Sequence, residues 1–205
     1  MWYPDYTPNW VQSIFNGLIW RGPHQTDQLF LTFDDGPKPG STEAILDALA
    51  MYDIKATFFC VGENIEKYPS LFHRLIEEGH QVGGHTYNHL NGWKTSFKSY
   101  VSNVEKGQSL VPTKLFRPPY GRLGLFQWQY LKNKEKVVMW DIIPGDFDPK
   151  RSVDDCITCI KNRAKVGSII VLHDNPSYVE KVVELIHQTV QWARDEGFSF
   201  DVLAD

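Results

Sequence analysis

Residues 28–40 read QLFLTFDDGPKPG, an apolar run that stops abruptly on two carboxylates and a Gly-Pro turn. QLFLTF (28–33) has the length and near-continuous hydrophobicity of a buried strand, and DDGPKPG supplies the turn chemistry that ends it. A helix follows, with Ile45, Ala48 and Leu49 on its inner face. The unit then recurs. KATFFCV (55–61) precedes a helix marked by Leu71, Phe72, Leu75 and Ile76 and closed by Gly79. HQVGGH (80–85) precedes a helical stretch near 96–109, and KLFRPPYG (114–121) and KVVMWDI (136–142) continue the strands. SIIVLHD (168–174) is the most hydrophobic of them. It precedes a helix striped with Val179, Val182, Val183, Ile186, Val190 and Ala193, and FSFDVL (198–203) is read as a closing strand.

Alternating apolar strands and helices imply a parallel sheet covered by helices. That sheet is either a closed barrel or an open, doubly wound one. Asp34, Asp35, His85, Arg117, Asp146 and His173 all fall at or just beyond the C-terminal ends of these strands. A barrel brings such ends to one mouth, whereas an open sheet spreads them along an edge. The expected fold is therefore α/β: a single irregular (β/α)7-type barrel over residues 28–205. Residues 1–27 form an aromatic-rich extension in which Trp10, Val11, Ile14, Phe15, Leu18 and Ile19 recur at helical spacing. That face is expected to pack on the barrel, because basic residues that would favour a membrane surface are missing from its polar side.

The 205 residues suit one domain, and the formal charge of −4 offers no basic surface for nucleic acid. Cys156 and Cys159 make a C-x-x-C within an amphipathic DDCITCIKNR, but no second pair completes a zinc site. No run is long and apolar enough to span a bilayer, and MWYPDYTPNW (1–10) lacks the regions of a secretory signal. The sequence reads as cytoplasmic, although a trimmed export signal would leave it unchanged. It does not fix an oligomeric state.

His85 and His89 form H-x-x-x-H directly after a strand, and on a helical turn both imidazoles share a face. The motif alone does not establish a metal site. With a spare carboxylate nearby, two nitrogens and one oxygen suit one divalent transition ion, Zn²⁺ first, with Co²⁺, Fe²⁺ or Ni²⁺ as alternatives. Asp34 and Asp35 would be an ordinary turn pair were they not like charges at a buried strand end, where a cation or a role must compensate. RPPYG (117–121) combines a guanidinium with a backbone stiffened by two prolines, a source of fixed donors for an oxyanion. His173 ends an apolar strand, where it is either a satisfied core histidine or an acid–base group. His24, His73, His80 and His187 are assigned no chemistry.

TFDDGP, HTYNH, RPPYG and IIVLHD, in this order, resemble the polysaccharide deacetylase family (NodB homology, carbohydrate esterase family 4) over residues 28–203. The resemblance implies an irregular (β/α) barrel that removes acetyl groups from N-acetylated glycans such as chitin oligomers or peptidoglycan, or from acetylated xylan. By motif, Asp34 would be the catalytic base, and Asp35, His85 and His89 the metal ligands. Thr86 would brace their loop. Arg117 would hold Asp34, the Tyr120 N–H would join an oxyanion hole, and His173 would be the general acid. The partner is then an N-acetylated glycan. The rival readings are an O-acetyl esterase on xylan-like glycans and a catalytically decayed glycan-binding module. Trp93, Trp128 and Trp140 are candidates for stacking on sugar rings, with core burial the alternative for Trp140.

One motif departs from the family. The family's fourth motif reads Asp-x-x-Asp-Trp, and its first carboxylate orients the acid histidine. The matching segment here is Ile143-Pro144-Gly145-Asp146-Phe147, which lacks that carboxylate and the tryptophan. Asp146, on a Pro-Gly loop that can bend inward, is expected to take over the partnership with His173.

Overall fold

The computed structural model describes residues 5–23 and 27–205. Residues 1–4 of the extension, and His24, lie outside the described residues. Seven strands run β1 (Gln28–Asp34), β2 (Thr57–Cys60), β3 (Gln81–Gly84), β4 (Leu115–Phe116), β5 (Lys136–Val137), β6 (Ile169–His173) and β7 (Ser199–Phe200). The sheet order is β5-β4-β3-β2-β1-β6, every pairing in it is parallel, and β7 joins the start of β1. The sheet curls until its two edges meet. Ile142, a few residues beyond β5, bridges in parallel to Ile170 of β6, and its N–H donates to the Ile169 carbonyl at 3.2 Å. The fold is the expected irregular barrel, with strands as short as two residues on the β4–β5 side.

Helices cover the outside: α1 (Asn9–Ile14), α2 (Ser41–Ala50), α3 (Gly62–Lys67), α4 (Pro69–Glu77), α5 (Phe97–Gln108), α6 (Leu125–Leu131), α7 (Val153–Arg163) and α8 (Val179–Asp195). The stripe of α8 packs Val182, Leu185, Ile186 and Val190 against Ile45 and Leu49 of α2 and the outer side chains of β1 and β6 in one core. Leu29, Leu31, Phe33, Ile170 and Leu172 are fully buried, as a strand covered on both faces requires. Among the described residues no helix is long and apolar enough to cross a membrane.

The extension meets the barrel differently from the expectation. α1 ends at Ile14, and Trp10, Ile14 and Phe15 stay exposed. Only six residues are helical, too few to form the continuous face that the spacing implied. The contact is made further along. Ile19 bridges Val138, Tyr6 bridges Ile142, and Leu18 packs beside Val137 and Leu131. The segment fills the seam between the β5 edge and β6, and a buried ion pair from Arg21 to Asp141 at 3.0 Å fastens it there.

Candidate active site

Parallel register places the chemical groups on one rim. Asp34 lies opposite His173 in the β1–β6 ladder and opposite Phe59 in the β1–β2 ladder. The His85 N–H donates to the Cys60 carbonyl at 2.8 Å, and the Arg117 N–H to the Gly84 carbonyl at 3.0 Å. Thus β1, β3, β4 and β6 all deliver their sequence-predicted residues to the same mouth.

Asp35, His85 and His89 converge there, each offering a donor atom within 4.8 Å of the others. Asp35 Oδ1 lies 3.0 Å from His89 Nε2 and 3.7 Å from His85 Nε2. His85 Nδ1 lies 2.8 Å from the Arg117 carbonyl. A carbonyl only accepts, so Nδ1 carries the proton and Nε2 is left with a free lone pair facing Asp35. Burial pushes the His85 imidazole down to about 4, which keeps it neutral as a ligand must be. Burial alone would raise the Asp35 carboxyl, but His89, His173 and His85 around it hold it well below the usual carboxylate range. Two nitrogens and a carboxylate oxygen, with one tautomer fixed, fit a divalent transition ion with open coordination positions.

The backbone at this rim is held in an unusual state. Five non-glycine residues among those described have positive φ, and Asp35 (78°), Thr86 (61°), His89 (60°) and Tyr120 (60°) are four of them. Left-handed backbone is disfavoured for such residues and persists where surrounding contacts enforce it. Thr86 supplies one such contact: its Oγ1 accepts the Leu90 N–H at 3.1 Å, closing the turn between the two histidines. Gly107 of α5 lies so close to the Thr86 carbonyl that an added methyl would meet it at 2.9 Å.

Arg117 is fully buried beneath the rim. It donates to Asp34 Oδ1 at 2.7 Å, to Thr32 Oγ1 at 2.8 Å and to the Met139 carbonyl at 3.0 Å, with its guanidinium 4.1 Å above the Phe59 ring. The buried charge and the buried Asp34 carboxylate compensate each other. Tyr120 is the second residue of a 3-10 turn, Pro119–Gly121, where the first N–H groups have no partner inside the turn. Its ring lies edge-on 4.7 Å from that of His89.

Across the mouth, His173 Nδ1 lies 3.0 Å from Asp146 Oδ1, and the His173 N–H donates to Asp146 Oδ2 at 2.8 Å. Gly145, at φ 84°, makes the inward bend that brings Asp146 there. Burial by itself would lower the His173 imidazole, but Asp146 foremost, then Asp35 and Asp34, raise it to about 9. Phe147, standing where the family has tryptophan, meets the His173 ring edge-on at 4.9 Å.

Asp174, which no sequence motif singles out, is fully buried beneath the rim. It accepts hydrogen bonds from Ser41 Oγ at 2.5 Å and Thr42 Oγ1 at 2.6 Å, and its N–H donates to the Asp34 carbonyl at 2.8 Å. It thereby ties the start of α2 to the DDGP turn, whose Gly36 lies too close to the Asp174 carboxylate for a side chain to fit. A second acid following His173 at a strand end was the available signal. Of the three tryptophans considered for sugar stacking, Trp140 is half-buried 5.7 Å from Arg117, Trp128 is half-buried with Gly17 against it, and Trp93 is exposed. Cys156 and Cys159 are buried free thiols pushed up to about 11 by burial, so they are inert core residues.

Comparison with known proteins agrees with this geometry. Residues 21–137, more than half of the chain, match the family described as polysaccharide deacetylase. A peptidoglycan-N-acetylglucosamine deacetylase of Bacillus cereus is 31% identical over 97% of this chain and 74% of its own length. A solved peptidoglycan N-acetylglucosamine deacetylase, in complex with a substituted N-oxidanyl-benzamide, superposes with a TM-score of 0.87 at 30% identity, covering 95% of this chain and 94% of its own. The Xyl-CE4 domain of a multidomain xylanase from the hindgut metagenome of Trinervitermes trinervoides reaches 0.79 at 28% identity, over 87% of this chain and 88% of its own. The matched span carries the Asp34–Asp35 turn, both histidines of the cluster and Arg117, and on these grounds the chain belongs to the polysaccharide deacetylase family.

Proposed function

We propose that this protein is a metal-dependent hydrolase that removes acetyl groups from N-acetylated sugars of a peptidoglycan- or chitin-like glycan. One observation carries the reading. A base held by a buried arginine (Asp34–Arg117) and an acid held by a buried carboxylate (His173–Asp146) flank one three-donor cluster.

A divalent ion held by Asp35, His85 and His89 would polarise the acetyl carbonyl and make water a stronger acid. Asp34, held in place by Arg117, takes the proton of the attacking water. The Tyr120 N–H donates to the carbonyl oxygen as it gains charge. His173, raised to about 9, is protonated at neutral pH and gives its proton to the departing amine nitrogen. That last role favours amide over ester cleavage, because an amide anion is too poor a leaving group to depart unprotonated.

The relative from Bacillus cereus and the first of the two solved structures bear names that specify N-acetylglucosamine in peptidoglycan, which supports this choice. Likeness to a domain of a xylanase favours the second reading, O-deacetylation of acetylxylan. Acetate release from chitooligosaccharides, peptidoglycan and acetylxylan separates them. Release from the first two is expected. Release from acetylxylan alone would select the ester reading, and release from none would mean a decayed site.

A further inference from the structure

Two loops of the rim are braced against each other beside the donor cluster. Gln127, buried in α6, donates to the Gly92 carbonyl at 2.9 Å and to the Thr95 carbonyl at 3.2 Å. Gly92 approaches the Arg122 carbonyl so closely that no side chain fits between them. Trp93, in the 3-10 turn Gly92–Lys94, is fixed at both ends. Asn91 Oδ1 accepts its backbone N–H at 3.0 Å, and its indole N–H donates to the Leu123 carbonyl at 3.2 Å. Even so, Trp93 is 69% exposed.

The Arg122 guanidinium lies 5.3 Å from the Trp93 ring and 6.0 Å from the Tyr120 ring, and Tyr120 touches His89. A continuous path, His89–Tyr120–Arg122–Trp93, therefore leads outward from the donor cluster. Arg122 is half-buried and forms no ion pair among the described residues, in a chain whose net charge is −4. A single exposed tryptophan is ordinary on a protein surface. A tryptophan locked at both ends, continuous with a catalytic mouth and backed by an unpaired cation, is a preorganised binding surface.

We propose that Trp93 stacks on the sugar next to the one being deacetylated and that Arg122 binds a carboxylate on that strand. The preferred polymer is then an acidic, peptidoglycan-like glycan rather than neutral chitin. This rests on the glycan reading of the same mouth. The apolar face of a pyranose matches the indole face, and the guanidinium edge, free of a protein carboxylate, matches an acidic substituent.

The test is acetate release from mono- and tetrasaccharides of two kinds, neutral ones from chitin and carboxylate-bearing ones from peptidoglycan. Trp93→Ala should raise KM for both tetrasaccharides about fivefold or more, as loss of an aromatic anchor implies, with no comparable rise for the monosaccharides, which lack a neighbouring sugar. Trp93→Tyr should recover most of the loss. Arg122→Gln should raise KM for the acidic tetrasaccharide only and flatten its salt dependence. Equal KM ratios for short and long substrates in Trp93→Ala, or equal effects of Arg122→Gln on both kinds, would overturn the proposal. Should the wild-type protein release no acetate, the hydrolase reading fails on its own. Calorimetric binding of the same tetrasaccharides then decides the platform: weaker binding by Trp93→Ala supports it, and equal binding overturns it.

Discussion

Replacing Asp146 with Asn removes one negative charge from the wall behind His173 while keeping the side chain's shape. Asp146 is fully buried, with one oxygen 3.0 Å from His173 Nδ1, so water barely screens the pair. It is the foremost influence that raises His173 to about 9, against burial, which lowers it. Asp35 and Asp34 contribute less, and burial opposes them, so Asp146 is the main carboxylate that keeps the imidazole protonated. Without it, His173 returns to its ordinary value of 6.5 or below. At pH 8 the protonated fraction would fall from about 0.9 to about 0.03, roughly a 30-fold loss of kcat if His173 is the acid, with little loss at pH 6. The assay is kcat for acetate release from pH 5 to 10. The alkaline limb should move down by about two pH units or more in Asp146→Asn. It should stay in place in Asp141→Asn and Asp148→Asn. An unmoved limb in Asp146→Asn would mean that His173 is held by another group or is not the acid.

The two neighbouring aspartates should separate. Asp34→Asn should keep metal content nearly intact and lower kcat by about 10²-fold or more, whereas Asp35→Asn should lose metal first, as elemental analysis of both variants would show. Arg21→Met leaves Asp141 buried without its cation and should cost about 3 kcal/mol in urea unfolding. Asp141 is already raised to about 6 by burial, so the folded state binds its proton more tightly than the unfolded chain and stability falls as pH rises through that range. The Arg21→Met defect should therefore be smaller at pH 5 than at pH 7, and an equal defect at both would count against this pairing. Gly36→Ala drives a methyl into the buried Asp174 carboxylate and should weaken metal affinity at a stability cost of about 1–3 kcal/mol. A fully retained ion would show that the DDGP turn does not depend on that brace.

The barrel was legible because most of its strands are announced by apolar runs, β3's QVGG being the exception, and the longest, β1 and β6, are the most hydrophobic. The site was legible because its groups end those runs: Asp34 closes β1 and His173 closes β6. What escaped has physical causes. α3 and α6 are short, and neither α3's GENIEK nor α6's LFQWQYL carries a clean apolar stripe. The helical spacing of Trp10 to Ile19 continues past the point where the chain turns, and Ile19 contributes instead as a strand neighbour of Val138. The Arg21–Asp141 and Asp174–Ser41 contacts join residues more than a hundred positions apart, which no local pattern announces. Asp146 sits between these cases. Its place beyond a strand end and the missing acid in the fourth motif both marked it, and the bend at Gly145 brings it to His173.

Metal content and acetate release, followed in one preparation, bear on the central mechanism without intermediaries. Purified protein should hold about one divalent transition ion per chain, because three donors converge with positions left open. A chelator should abolish acetate release from an N-acetylated glycan, and Zn²⁺ or Co²⁺ should restore it. The His85→Ala, His89→Ala double variant should neither hold the ion nor recover when metal is added. Acetate release that survives complete removal of metal, or a double variant that retains its ion, would contradict the mechanism.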